Sequence, residues 1–176
     1  MVKVLFVCLG NICRSPIAEA LFNHKIKQKN YQDHFSCDSC GTSEYHIGEL
    51  PDERAIACAN RNGIKMNHRG RQLNRTDFRD FDYLIVMDKS NLENVKKSAE
   101  QHKAVPKNLL LMRTFQKDPE FMEVPDPYYG GVDGFQKVYD ILDSSLDGLI
   151  EELEKKQQLL EKNNTCIAHM VLSTFP

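Results

Sequence analysis

The segment Cys8-Leu9-Gly10-Asn11-Ile12-Cys13-Arg14-Ser15 gathers a thiol, a run of loop N–H groups and a guanidinium within eight positions. Successive N–H groups of a tight loop that opens into a helix form a nest for an anion. Gly10 lets backbone approach such an anion closely, and Asn11 tolerates a left-handed conformation. Arg14 can grip two oxygens of a phosphate and favours the charge that builds on them in a transition state. The positive potential of loop, helix and Arg14 favours Cys8 as the thiolate, and Ser15 can donate a hydrogen bond to that sulfur. Together these residue types support in-line attack of a thiolate on phosphorus. The chain has six cysteines, eight arginines and nine serines, so Cys-x5-Arg arises by composition about 0.27 times and Cys-x5-Arg-Ser about 0.014 times. The spacing acquires meaning from the elements around it.

Those elements are a strand before and a helix after. Val2 to Val7 reads as a buried strand, short and apolar. Ser15 to Lys29 reads as a helix, with Ser15 as its cap, Pro16 in the first turn, and Ile17, Ala18, Leu21, Phe22 and Ile26 at helical spacing. Phe35 to Ser39 is a more polar second strand. Pro51 to Arg61 reads as a helix with Asp52 and Glu53 in its first turn, stopped by Asn62-Gly63. Tyr83 to Met87 is a buried strand, followed by a helix in which Ser90 and Glu93 are spaced as a capping box. Leu109 to Met112 is a fourth strand. Phe115 to Gly134 is loop-like, and a long helix begins near Phe135 with one apolar face through Leu142, Leu149 and Leu160. Alternating strands and helices predict an α/β fold: a single three-layer domain with a four-stranded parallel sheet flanked by helices, flavodoxin-like or Rossmann-like. Ligands of such folds bind beyond the carboxyl ends of the strands, where the loop from Cys8 begins.

The bulk numbers narrow the partners. A net charge of −2 points away from nucleic acid and anionic membrane surfaces, so an anion site must be built locally. No stretch approaches the length of a spanning helix, and the apolar N-terminal run lacks a cleavage pattern. The 176 residues suffice for one core, so the six cysteines are expected as reduced thiols in a cytoplasmic protein. Cys37 and Cys40 form a Cys-x2-Cys, but no second ligand pair has zinc spacing, so structural thiols are expected and no metal. Cys58 reads as core.

The chain resembles the low-molecular-weight protein tyrosine phosphatases. The resemblance is carried by Cys-Leu-Gly-Asn-Ile-Cys-Arg-Ser-Pro from Cys8 and by Asp126-Pro127-Tyr128-Tyr129. Thr42-Ser43 near Tyr45, His68-Arg69 before Arg71-Gln72-Leu73, and Phe81-Asp82-Tyr83 leading to Met87-Asp88 also match. It covers roughly residues 2 to 155, with a phosphatase domain expected over 1–160 and an extension of unknown role over 161–176. The resemblance implies hydrolysis of phosphotyrosine and small aryl phosphates through a phosphocysteine, with no cofactor. Cys8 would be the nucleophile, Arg14 the phosphate clamp and Asp126 the general acid and then base, on a loop stiffened by Pro125 and Pro127. Leu9, Gly10, Asn11, Ile12, Cys13 and Ser15 would bind phosphate, with Tyr45, Tyr128 and Tyr129 at the mouth. Ser39 and His68 would support Asn11. Cys13 would be a redox neighbour able to form a reversible disulfide with the nucleophile. The implied partners are phosphotyrosine-containing proteins, with phosphate or other tetrahedral oxyanions as ligands, no nucleic acid, no membrane, and a monomer or weak homodimer.

Two other functions compete. Thiol-dependent arsenate reduction on the same fold needs relay cysteines after the third strand, and residues 82–90 contain none. A non-catalytic phosphate-binding module would lack nucleophile, arginine or acid, and all three are present.

Overall fold

In the computed structural model the elements are β1 (Val2–Cys8), α1 (Arg14–Gln28), β2 (Phe35–Gly41), α2 (Glu53–Arg61), α3 (Asp77–Asp80), β3 (Tyr83–Val86), α4 (Lys89–Gln101), β4 (Leu109–Leu111), a 3-10 turn (Met112–Phe115) and α5 (Gly131–Leu172). The structure describes residues 1–117, 120–128 and 130–172, and the side chains of all of these except 131, 132 and 159–172. The four strands form one parallel sheet in the order β2-β1-β3-β4, as the alternation of elements predicts. β1 is central, so its carboxyl end opens between two neighbours.

Because strand side chains alternate, the sheet builds two cores. Val4, Phe6 and Cys8 of β1 and Tyr83, Ile85 and Met87 of the β3 segment meet α1, α2 and α5 on one face. Leu5, Val7, Leu84 and Val86 meet Phe78 of α3 and Val95 and Ala99 of α4 on the other. Phe6 and Phe22 pack edge-on with ring centres 5.7 Å apart, fixing α1 over β1 just behind the loop that joins them. The same alternation answers the Cys-x2-Cys spacing. Cys37 packs with the α1 side and Cys40 with the α4 side, so the two thiols do not share a ligand.

Several ends differ from the sequence reading, each for a local reason. β2 runs to Gly41 because Ser39, Cys40 and Gly41 continue the ladder opposite Phe6, Val7 and Cys8. Helix α1 begins at Arg14, with Cys13 at its cap position and no side-chain cap, so Ser15 is not the cap but lies inside the first turn. Asp52 caps α2 from outside, its carboxylate accepting from the Arg54 N–H. The cap of α4 is Asp88, whose carboxylate accepts from the Asn91 N–H at 2.6 Å, so Ser90 and Glu93 are not its capping box. The strand before it ends at Val86, and the fourth strand ends at Leu111 because Met112 starts the 3-10 turn. The short α3, which buries Phe78, was not expected. Helix α5 starts at Gly131 rather than near Phe135 and runs unbroken past residue 160. Among the described residues, no helix is long and apolar enough to cross a membrane.

Candidate active site

Cys8 is the last residue of β1 and is 3% exposed. The chain then turns through residues 9–13 before α1. The turn brings the Asn11 N–H to 3.2 Å from the Cys8 Sγ as a donor and places the Ser15 Oγ 3.0 Å from the same sulfur. Both contacts suit a sulfur that carries negative charge during reaction. Neighbouring chain fixes the shoulders of the turn. The N–H groups of Thr42 and Ser43 donate to the carbonyls of Cys8 and Leu9. Gly41 makes this approach possible, since a Cβ there would lie 2.7 Å from the Leu9 carbonyl oxygen.

Asn11 has φ 57°, the left-handed conformation anticipated from its residue type. Its side chain holds it there. Nδ2 donates to the hydroxyls of Ser15 and Ser39, each at 2.9 Å. Oδ1 accepts from the Arg71 N–H at 2.9 Å and lies 2.8 Å from His68 Nε2. Behind these, Glu19 accepts from Ser39 at 2.7 Å and pairs with His68 Nδ1 at 3.0 Å. Ser39 and His68 thus both contact the Asn11 side chain. Glu19 and Arg71 complete the network.

Arg14 is 3% exposed and faces two carboxylates. Nη1 donates to Asp88 at 2.6 Å and to the Val124 carbonyl at 3.1 Å, and Nη2 donates to Asp126 at 2.8 Å. Burial works against its charge, but Cys8, Asp126 and Asp88 outweigh this and hold the guanidinium above its ordinary pKa. Asp88 therefore does two things at once: Oδ1 caps α4 and Oδ2 holds Arg14. The loop that carries Asp126 is tied down by the Val124 N–H, which donates to the Met87 carbonyl at 2.8 Å. Asp126 Oδ1 in turn accepts from the Tyr128 N–H at 3.0 Å.

Cys8, Leu9, Gly10, Ile12, Cys13, Arg14, Tyr45, Asp126 and Tyr128, all singled out from sequence, line one cavity of about 290 Å³ with His46. Asn11, Ser15, Ser39 and His68 lie behind it, and Tyr129 falls outside the described residues. Thiol, guanidinium and carboxylate thus converge from β1, α1 and the loop before α5.

The family model described as low molecular weight phosphotyrosine protein phosphatase matches residues 3–159. The chain belongs to this family. It is 43% identical over 137 residues to the human low molecular weight phosphotyrosine protein phosphatase, covering 78% of this chain and 86% of that one. Among solved structures it resembles a protein tyrosine phosphatase from Entamoeba histolytica with Hepes in the active site. That match has 39% identity and a TM-score of 0.82, covering 89% of this chain and 99% of the other. It also resembles DARP, a Drosophila arginine phosphatase, at 35% identity and a TM-score of 0.81, covering 86% and 97%.

For a low molecular weight phosphatase fold, three contributors are not evident from the sequence. Asp88, Glu19 and Gly41 act through partners far along the chain. His46 also borders the cavity, its ring 3.0 Å from where a Cβ on Gly10 would stand. Glu19, Asp38 and His68 place one ligand atom each within 4.8 Å of one another. These groups are already engaged, His68 by Asn11 and Glu19, Glu19 by Ser39, and Asp38 by Arg71, so they serve the loop support. Burial, then Asp52, Cys8 and Asp126, push the Cys13 thiol up to about 12. It is a poor nucleophile at neutral pH beside Cys8.

Proposed function

We propose that this phosphatase hydrolyses phosphotyrosine and small aryl phosphates, with Cys8, Arg14 and Asp126 as its working groups. The observation that carries the reading is their convergence on one cavity of about 290 Å³ whose mouth carries Tyr45 and Tyr128. The Cys8 sulfur attacks phosphorus in line as the P–O bond to the leaving phenol breaks, and Asp126 gives that oxygen a proton. Asp126 then takes a proton from water, the water oxygen bonds to phosphorus, and the P–S bond breaks with its electron pair returning to Cys8. The Ser15 hydroxyl, 3.0 Å from that sulfur, can donate to the departing thiolate. Arg14 and the loop N–H groups hold the equatorial oxygens throughout. Aromatic walls favour a ring next to the phosphate, so phosphotyrosine-containing proteins are the proposed partners and inorganic phosphate a ligand.

The test is steady-state hydrolysis of an aryl phosphate, a phosphotyrosine peptide, a phosphoserine peptide and phosphoarginine, with arsenate reduction assayed alongside. Expected are turnover of the first two and its loss in Cys8→Ser and Arg14→Ala with the fold intact. Substantial aryl phosphate hydrolysis by folded Cys8→Ser removes the proposed chemistry. Preference for phosphoarginine, the substrate class named for the Drosophila protein, would reassign the substrate while keeping the nucleophile.

A further inference from the structure

Arg54 lies on α2, outside the cavity, yet its guanidinium reaches the loop that carries Asp126. Nε and Nη2 fork onto the two oxygens of Asp52 at 2.9 and 2.7 Å. Nη1 donates to the Tyr128 carbonyl at 3.0 Å. The guanidinium carbon stands 5.3 Å from the Tyr128 ring centre and 4.8 Å from that of Phe135. Such a two-pronged carboxylate contact orients an arginine, and stacking on aromatic faces adds to it.

Both ends of this clamp connect to the site. On one side the Asp52 N–H donates to the carbonyl of Ile12, in the catalytic loop, at 2.8 Å. On the other, the Tyr128 N–H donates to Asp126 Oδ1 at 3.0 Å. The path Ile12–Asp52–Arg54–Tyr128–Asp126 therefore sets the carboxyl against the loop that holds phosphate. The direct contact between Arg14 and Asp126 cannot play this part alone. It uses the same guanidinium that a phosphate needs, and a bound dianion competes for it. Arg54 makes no such demand.

We infer that Arg54 is a positioning residue that fixes Asp126 for proton transfer by clamping the Tyr128 carbonyl to Asp52. The inference rests on the proposed acid role of Asp126. A group 1 Å out of place loses much of its catalytic value, so the effect should fall on the proton-transfer step rather than on phosphate binding.

The experiment compares the parent, Arg54→Met, Arg54→Lys and Asp126→Asn on aryl phosphates spanning good to poor leaving groups. Thermal melts confirm folding. Arg54→Met keeps the aliphatic stem but loses all three polar contacts. Its kcat/KM, which reports the step that releases the phenol, should fall about tenfold for poor leaving groups and hardly at all for the best, while the shared hydrolysis step slows through the same carboxyl. Arg54→Lys should be intermediate, because an ammonium can donate to the carbonyl but lacks the fork. On an Asp126→Asn background Arg54→Met should add nothing further. Equal loss of kcat/KM across all substrates, an additive double variant, or no change in folded Arg54→Met and Arg54→Lys would each overturn the positioning role. A parent that hydrolyses no aryl phosphate would fail earlier and remove the phosphatase reading with it.

Discussion

The Arg14 guanidinium donates to the Asp126 carboxylate across 2.8 Å, joining the cation that would grip phosphate to the group that would give up the proton. Asp88 holds Arg14 through Nη1 and is itself fixed as the cap of α4, so of the two carboxylates Asp126 is the one a ligand must compete with. Removing that competitor should help an anion bind. Asp126→Asn should therefore take up inorganic phosphate about two- to fivefold more tightly, the scale of roughly 0.5–1 kcal/mol for a half-exposed ion pair. The same variant should turn over poor leaving groups far more slowly. Calorimetric titration with phosphate checks the first half, and weaker binding would show that Asp126 helps hold the anion.

Asp88 offers a way to separate helix stability from site geometry. An asparagine caps a helix about as well as an aspartate, whereas alanine loses about 1 kcal/mol. Asp88→Asn should melt close to the parent and Asp88→Ala noticeably lower. Both lose the ion pair at 2.6 Å, and both should fall about ten- to hundredfold in kcat/KM as Arg14 loses its anchor. If activity instead follows stability across the two variants, Asp88 matters only as a cap.

Asn11 combines an unfavourable backbone conformation with a side chain that answers several buried partners. Asn11→Ala keeps the φ of 57° without its hydrogen bonds and adds about 1 kcal/mol of left-handed strain. It also leaves Ser39, His68 and the Arg71 N–H short of a partner, at about 1–3 kcal/mol for a buried group so orphaned. Asn11→Gly shares the second loss and not the first. Denaturant melts should rank parent, glycine, alanine, with turnover severely reduced in both variants. Equal melts for the two would mean the backbone conformation contributes nothing.

How much of this could be read from the residues follows from distance along the chain. The strand, loop and helix of residues 2–28 are local, and periodicity with one motif was enough to place Cys8, Arg14 and Ser15 together. The wrong cap for α1 is instructive. Ser15 has the residue type of a cap, but its hydroxyl lies 2.9 Å from Asn11 Nδ2 and 3.0 Å from the Cys8 sulfur, which draws it inside the first turn. Nothing near Asp88 in sequence shows that Arg14, 74 positions away, is its partner. Arg54 and Tyr128 are likewise 74 positions apart. β2 runs past Ser39, where the sequence pattern ends it, through Cys40 and Gly41, which pair with Val7 and Cys8. Within it Asp38 pairs with Arg71, and Ser39 with Asn11 and Glu19, so side-chain partners rather than hydrophobicity hold its polar stretch, and ladder pairing sets its end.

The buried cysteines set a pH limit on the fold. Burial pushes the thiols of Cys37, Cys40 and Cys58 up, and with nearby charges takes Cys13 up to about 12. In the unfolded chain a thiol ionises near pH 8.5. Between these values the folded state binds more protons than the unfolded one, so stability falls as pH rises. The contribution of each thiol is fully present below about pH 8.5 and is lost upward from there. Urea melts from pH 7 to 10.5 should show a plateau near neutrality and a decline above it. Cys40 is fully buried and touches no part of the cavity, so it isolates the effect. Cys40→Ala should be less stable at pH 7, having lost a packed side chain, yet decline less steeply with alkali. Parallel declines in parent and variant would show that other groups, and not the buried thiol, govern the alkaline limb.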